Sequence, residues 1–104
     1  MTKFYYSKDN VELYIEFHHY ENGQIAMIAF QTGSDELWLD VTVAIPSPVF
    51  TGDVAIKGYG DQEGLVKDLI DAGIILPPWR DVQTEFVKIP IATLSITPEF
   101  KKEG

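Results

Sequence analysis

Residues 11–17 read VELYIEF, with Val11, Leu13, Ile15 and Phe17 at odd positions and Glu12, Tyr14 and Glu16 at even ones. A period of two is the signature of a half-buried strand, because successive side chains of an extended backbone point to opposite faces. One face of this strand belongs to a core and the other carries carboxylates and a phenol. Working outward from it, Glu21-Asn22-Gly23-Gln24 supplies a hairpin, and Asn-Gly favours the positive φ angles of a type I′ turn. The return strand, residues 24–32, is apolar on both sides and belongs at the centre of a sheet. Alternation resumes over residues 37–45. There Leu37, Leu39, Val41, Val43 and Ile45 are expected inside, and Trp38, Asp40 and Thr42 outside. Shorter strands are expected at residues 4–6 and 54–57.

The second decisive stretch is GYGDQEG, residues 58–64, followed by LVKDLIDAG. Its glycines, Gly58, Gly60 and Gly64, miss the G-x-G-x-x-G spacing of a dinucleotide loop, and no Gly-Lys-Ser or Gly-Lys-Thr follows. Asp61 and Glu63 stand where backbone amides would meet an anion, so the stretch reads as a helix entry capped by Asp61 rather than a phosphate cradle. Leu65, Val66, Leu69 and Ile70 give a helix over residues 61–72 one apolar stripe. Gly73 followed by Ile74, then Pro77 and Pro78, marks its end. After a loop at residues 79–83, residues 85–96 read as a last strand, and Pro90 within it predicts an edge position or a bulge. The fold class expected is α+β: an antiparallel sheet of about five strands with one helix packed on one face, in a single domain.

With 104 residues, 45% of them hydrophobic and 23% charged, the composition is that of a globular chain. Without cysteine there is no disulfide, no thiolate nucleophile and no cysteine-based zinc site. MTKFYYSKDN lacks an apolar leader core, and the stretch AIPSPVFTG is interrupted by Pro46 and Pro48, so the expectation is a cytoplasmic protein without a membrane partner. The net charge is −8, and its distribution is uneven: between Asp9 and Ile56 stand eight acids and no lysine or arginine. Such a field repels nucleic acids and anionic membranes and favours a basic partner.

Catalytic patterns are wanting. Ser7, Ser34, Ser47 and Ser95 lie outside any G-x-S-x-G elbow. His18 and His19 are adjacent and point apart on a strand, so they do not chelate one metal together; a lone imidazole with Glu16 or Asp40 is the small-ligand or metal alternative. Neither catalytic residues nor a cofactor are expected. The chemistry that remains is a surface: Glu12, Tyr14, Glu16, Trp38, Asp40 and Thr42 share the outward face, aromatics among acids, which suits a protein partner with basic groups. Trp79, in Pro77-Pro78-Trp79-Arg80, is a further anchor candidate.

The order of YENGQIA at 20–26, LDVTV at 39–43, AIK at 55–57, EG at 63–64, LIDAGI at 69–74 and EFVKIP at 85–90 resembles a family of small uncharacterised domains. That family is carried on conjugative elements, plasmids and phages of Gram-positive and gut bacteria. The likeness covers about residues 20–96; it departs at 76–81, where Pro-Pro-Trp-Arg replaces a shorter polar turn. The resemblance implies a context and no catalytic or ligand residues. In that context small acidic proteins block restriction or CRISPR nucleases by presenting carboxylates to the groove that holds nucleic acid. A non-enzymatic anti-defence inhibitor is therefore the function expected.

Overall fold

The computed structural model describes residues 1–62 and 64–101. The chain forms strands β1 (Thr2–Tyr6), β2 (Val11–His19), β3 (Ile25–Gln31), β4 (Leu37–Asp40) and β5 (Asp53–Ala55). A 3-10 turn (Gly60–Gln62), the helix α1 (Leu65–Asp71), β6 (Arg80–Gln83) and β7 (Lys88–Thr93) follow. The class is α+β, but the strands make two antiparallel sheets instead of one of about five: a meander in the order β1-β2-β3-β4, and a three-stranded sheet in the order β5-β7-β6.

The alternation of β2 resolves as its period requires, with Leu13, Ile15 and Phe17 buried and Glu12 exposed. Its hairpin to β3 is not a type I′ turn. Gly23 has φ 86°, but Asn22 is absent from the residues with positive φ. Gly23 N–H donates to the Tyr20 carbonyl and Tyr20 N–H to that of Gln24, the three-residue loop that places one glycine in the left-handed region. The Asn22 amide is engaged elsewhere: Oδ1 accepts from Gln24 N–H at 3.0 Å and Nδ2 donates to the Ile45 carbonyl.

Beyond β3 the sequence period is broken by tertiary structure. A bulge between Ala29 and Phe30 shifts the register, so Leu37, expected inside, is 61% exposed. Thr42, expected outside, is buried, because β4 ends at Asp40 and the chain crosses to bridge Ile56 of the second sheet. The Thr42 hydroxyl oxygen accepts from Met27 N–H at 2.9 Å and lies 3.1 Å from the Tyr20 hydroxyl.

The helix is shorter than its pattern predicts, running from Leu65 to Asp71 rather than over 61–72, and its N-cap is Gly64 at φ 92° with no side-chain cap bond. Asp61 thus belongs to the 3-10 turn and is not the cap; Glu63 lies outside the described residues. The stop is as expected. Gly73 (φ 74°) donates to the Ile70 carbonyl and Ile74 to that of Leu69, closing the paired bonds of a Schellman end. Asp68, buried on α1, accepts from Ser7 N–H at 2.9 Å and from its hydroxyl at 3.0 Å, which fastens the helix beside β1.

Residues 80–83, expected in a loop, form β6. Pro90, expected at an edge or bulge, lies in β7, the middle strand. Its carbonyl accepts from Ile56 N–H at 3.0 Å, so the Ile56–Pro90 pair keeps one of its two ladder bonds and lacks the one that a proline nitrogen cannot donate, just past the end of β5. The main core joins both sheets and the helix through Phe4, Leu13, Met27, Val54, Leu65 and Leu69, among others. A smaller cluster of Ile45, Ala55, Ile89 and Ile91 lies under the three-stranded sheet. No described helix is long and apolar enough to cross a membrane.

Candidate functional site

Register fixes which side chains share the outer face of the four-stranded sheet. Lys3, Tyr14, Phe30 and Leu37 lie side by side across β1 to β4; in the next row Glu16, Ile28 and Asp40 follow one another across β2 to β4. Opposed residues of an antiparallel pair stand about 5 Å apart on one face, so Ile28 is flanked by a carboxylate on each side. Glu12 extends the acidic edge opposite Tyr5.

The structure brings together Glu12, Tyr14, Glu16 and Asp40 as the sequence predicts, with one change in what they present. Tyr14 faces outward yet is only 9% exposed. Its ring stacks on Phe30 at 5.5 Å, and its hydroxyl donates to Asp35 Oδ1 at 2.8 Å. Asp35 (φ 57°) reaches it from the β3–β4 loop, which folds back through Asp35 N–H to the Gln31 carbonyl and Gln31 N–H to that of Glu36. The hydrogen bond to Asp35, then burial and the charges of Asp35 and Glu16, raise the Tyr14 phenol above its ordinary pKa of 10.0. The face is thus a shielded aromatic floor with carboxylates around it.

Its cations come from the ends of the chain. Lys3 Nζ lies 3.5 Å from Glu12, and Lys101 Nζ 3.6 Å from Glu16, which also meets His18 Nε2 at 3.3 Å. Lys101 is placed there because its N–H donates to the Phe17 carbonyl, beside the bridge between Phe17 and Phe100. His19 turns to the other side and stacks on Phe100 at 4.1 Å, so the two imidazoles are separated. Among the described residues no group of three or more His, Asp or Glu side chains is placed to hold a metal ion.

Trp38, expected on the same face, sits at the bulge, and its indole N–H is tied to Asp9 Oδ2 at 2.8 Å, across to the β1–β2 turn. Trp79 belongs to a different surface. It stacks on Phe50 at 5.9 Å, with the two side chains 50% and 70% exposed. The Trp79 indole N–H donates to Asp53 Oδ2 at 3.0 Å, and Asp53 Oδ1 accepts from the Thr93 hydroxyl at 2.6 Å. Arg80, the one arginine of the chain, lies 5.3 Å from the Trp79 ring centre and donates from Nη2 to the Pro48 carbonyl at 2.8 Å. Phe50, Trp79 and Arg80, with Pro48 and Val49, line an open groove of about 420 Å³.

Phe50, Asp53 and Arg80 were not singled out by the sequence reading. The available signal was an apolar residue held between Pro48 and Gly52, where neither strand period nor helical stripe can bury it. No family model, curated protein or solved structure matches this chain.

Proposed function

We propose that the chain is a non-enzymatic binding module that offers the outer face of its four-stranded sheet to a basic protein. The observation that carries this reading is the row Glu16, Ile28, Asp40 beside the shielded Tyr14 and Phe30, within a stretch of sequence, residues 9–56, that has no lysine or arginine. Apolar area between carboxylates suits a segment whose Lys or Arg side chains lay their stems on Ile28 and place their charges on the acids. The pairs already present do not oppose this. Lys3–Glu12 is exposed at both ends and Lys101–Glu16 at its lysine, with separations of 3.5 and 3.6 Å; the exposed pair is of the class worth about 0–1 kcal/mol, so a partner's cations exchange for it readily. In the setting of a mobile element the partner is a restriction or CRISPR nuclease, whose nucleic-acid groove accepts carboxylates in place of phosphates.

The test is affinity capture from a host lysate, identification of the partner, and competition by duplex DNA against the purified pair. Capture of a basic nucleic-acid-handling protein is expected, released by DNA and lost in the triple variant Glu12→Lys, Glu16→Lys, Asp40→Lys. Undiminished binding by that variant, with its melting temperature unchanged, removes the acidic face from the function. The small-ligand or metal alternative at His18 predicts a thermal stabilisation by divalent cations that His18→Ala abolishes.

A further inference from the structure

The open edge of the three-stranded sheet carries three features in one line. At its centre is β6, which among the described residues is paired with β7 alone. Main-chain groups of alternate residues point to alternate sides of an antiparallel strand. Thr84 N–H donates to the Val87 carbonyl in the hairpin, so Val82 and Arg80 share that side and face β7, while Asp81 and Gln83 turn their N–H and C=O groups to the open edge.

At one end of β6 lies the groove of Phe50, Trp79 and Arg80. Its Trp79 ring is held in advance by the bond to Asp53 and its Arg80 side chain by the bond to the Pro48 carbonyl, which lowers the cost of ordering them on contact. At the other end is the β6–β7 hairpin tip, where Phe86 is 86% exposed next to an exposed Glu85. The tip is well tied: the Thr84 hydroxyl donates to the Val87 carbonyl at 3.0 Å, and its oxygen accepts from Val87 N–H at 3.1 Å. One end therefore offers an aromatic beside a carboxylate, and the other an aromatic groove beside a guanidinium.

We propose that the chain forms a two-fold symmetric dimer by antiparallel pairing of β6 with β6 of a second copy, the axis passing at Val82. In this register Asp81 pairs with Gln83 of the second copy, so all four outward N–H and C=O groups of each strand find partners and no two like charges stand directly opposite. Arg80 then faces Thr84 of the second copy, and Trp79, whose N–H turns back to the Ile91 carbonyl opposite Arg80, stands at the end of the paired stretch beside the second copy's hairpin tip. Each tip is carried to the other copy's groove, where Glu85 meets the Arg80 charge and Phe86 the exposed rings. A four-residue edge strand bearing Asp81 discourages indiscriminate pairing, and a second copy answers it with the uncharged Gln83.

Sedimentation velocity on the full chain from micromolar to millimolar concentration tests this. The mass should rise from 11.7 kDa towards twice that value. Phe86→Ser should weaken association at least about tenfold with unchanged thermal melting, because the ring is solvent-exposed in the monomer. The chain has no cysteine, so Val82→Cys places a lone thiol at the axis, where it should oxidise to a covalent dimer far faster than Glu21→Cys at the distant β2–β3 turn. A mass of 11.7 kDa at every concentration overturns the proposal, as does a dimer indifferent to Phe86→Ser or equal oxidation at positions 82 and 21.

Discussion

Two aromatic pairs of nearly the same geometry lie on the two sheets, and they are treated in opposite ways. Tyr14 and Phe30 stack at 5.5 Å on the four-stranded sheet beneath a loop that binds the Tyr14 hydroxyl through Asp35. Phe50 and Trp79 stack at 5.9 Å at the edge of the three-stranded sheet, and there it is the Trp79 indole N–H that is withdrawn, into the buried Asp53, while the rings stay open. The first surface presents charge over hidden aromatics; the second presents aromatics over a hidden carboxylate. A stacked pair by itself therefore identifies nothing. What the surrounding hydrogen bonds leave uncovered decides which chemistry the surface offers.

Because one core joins the two sheets, the largest effect should fall on both surfaces together. Leu13→Ala removes a fully buried side chain of that core and should cost about 2–5 kcal/mol, read as one cooperative thermal transition in which both sheets melt at the same temperature. Separate transitions would mean that the surfaces are carried by independent units. Asp53→Ala acts on one surface alone. It leaves the Trp79 indole and the Thr93 hydroxyl without their acceptor and should cost about 1–3 kcal/mol. In a Trp38→Phe background the same change should lower the fluorescence anisotropy of Trp79, and unchanged anisotropy would show that Asp53 does not hold the ring. The smallest effect concerns the other surface and is a direction. Tyr14, raised above 10.0 by Asp35, should ionise above the ordinary phenol range, and Asp35→Asn should return it towards that range in an absorbance titration. A phenol whose pKa is raised by folding adds stability that is complete below its unfolded pKa and is lost as pH rises through the folded value. The contribution of the Tyr14–Asp35 bond is therefore present at neutral pH and disappears only in alkali.

Much of the meander was legible because its information is local. The period of two in β2 placed Leu13, Ile15 and Phe17 inside and Glu12 and Glu16 outside, and Gly73 with Ile74 marked the helix end. The acidic part of the candidate site follows from the same period. What the sequence concealed depends on distant partners. Thr42 is buried because Ile56 and Met27 receive it, and Leu37 is exposed because a bulge one strand away changes the register. Pro90 reads as an edge signal, yet it sits in the middle strand, because the one bond it fails to donate falls at Ile56, just past the end of β5. Phe50 and Trp79 are 29 residues apart, and the bonds that fix Trp79 and its neighbour Arg80 come from Asp53, itself bonded to Thr93, and from Pro48, which no window of sequence contains.

The order β5-β7-β6 also bears on how quickly the molecule assembles. The four-stranded meander closes through consecutive hairpins, whereas β5 at residues 53–55 must await β7 at 88–93, with the helix and β6 made in between. Loop-closure entropy is met early in the first case and late in the second, so contacts of long sequence separation set the slow step. The aromatic groove, which joins Phe50 from the flank of β5 to Trp79 and Arg80 at the start of β6, thus depends on the late closure, whereas the β6–β7 hairpin and the acidic meander are each made by contacts between consecutive strands.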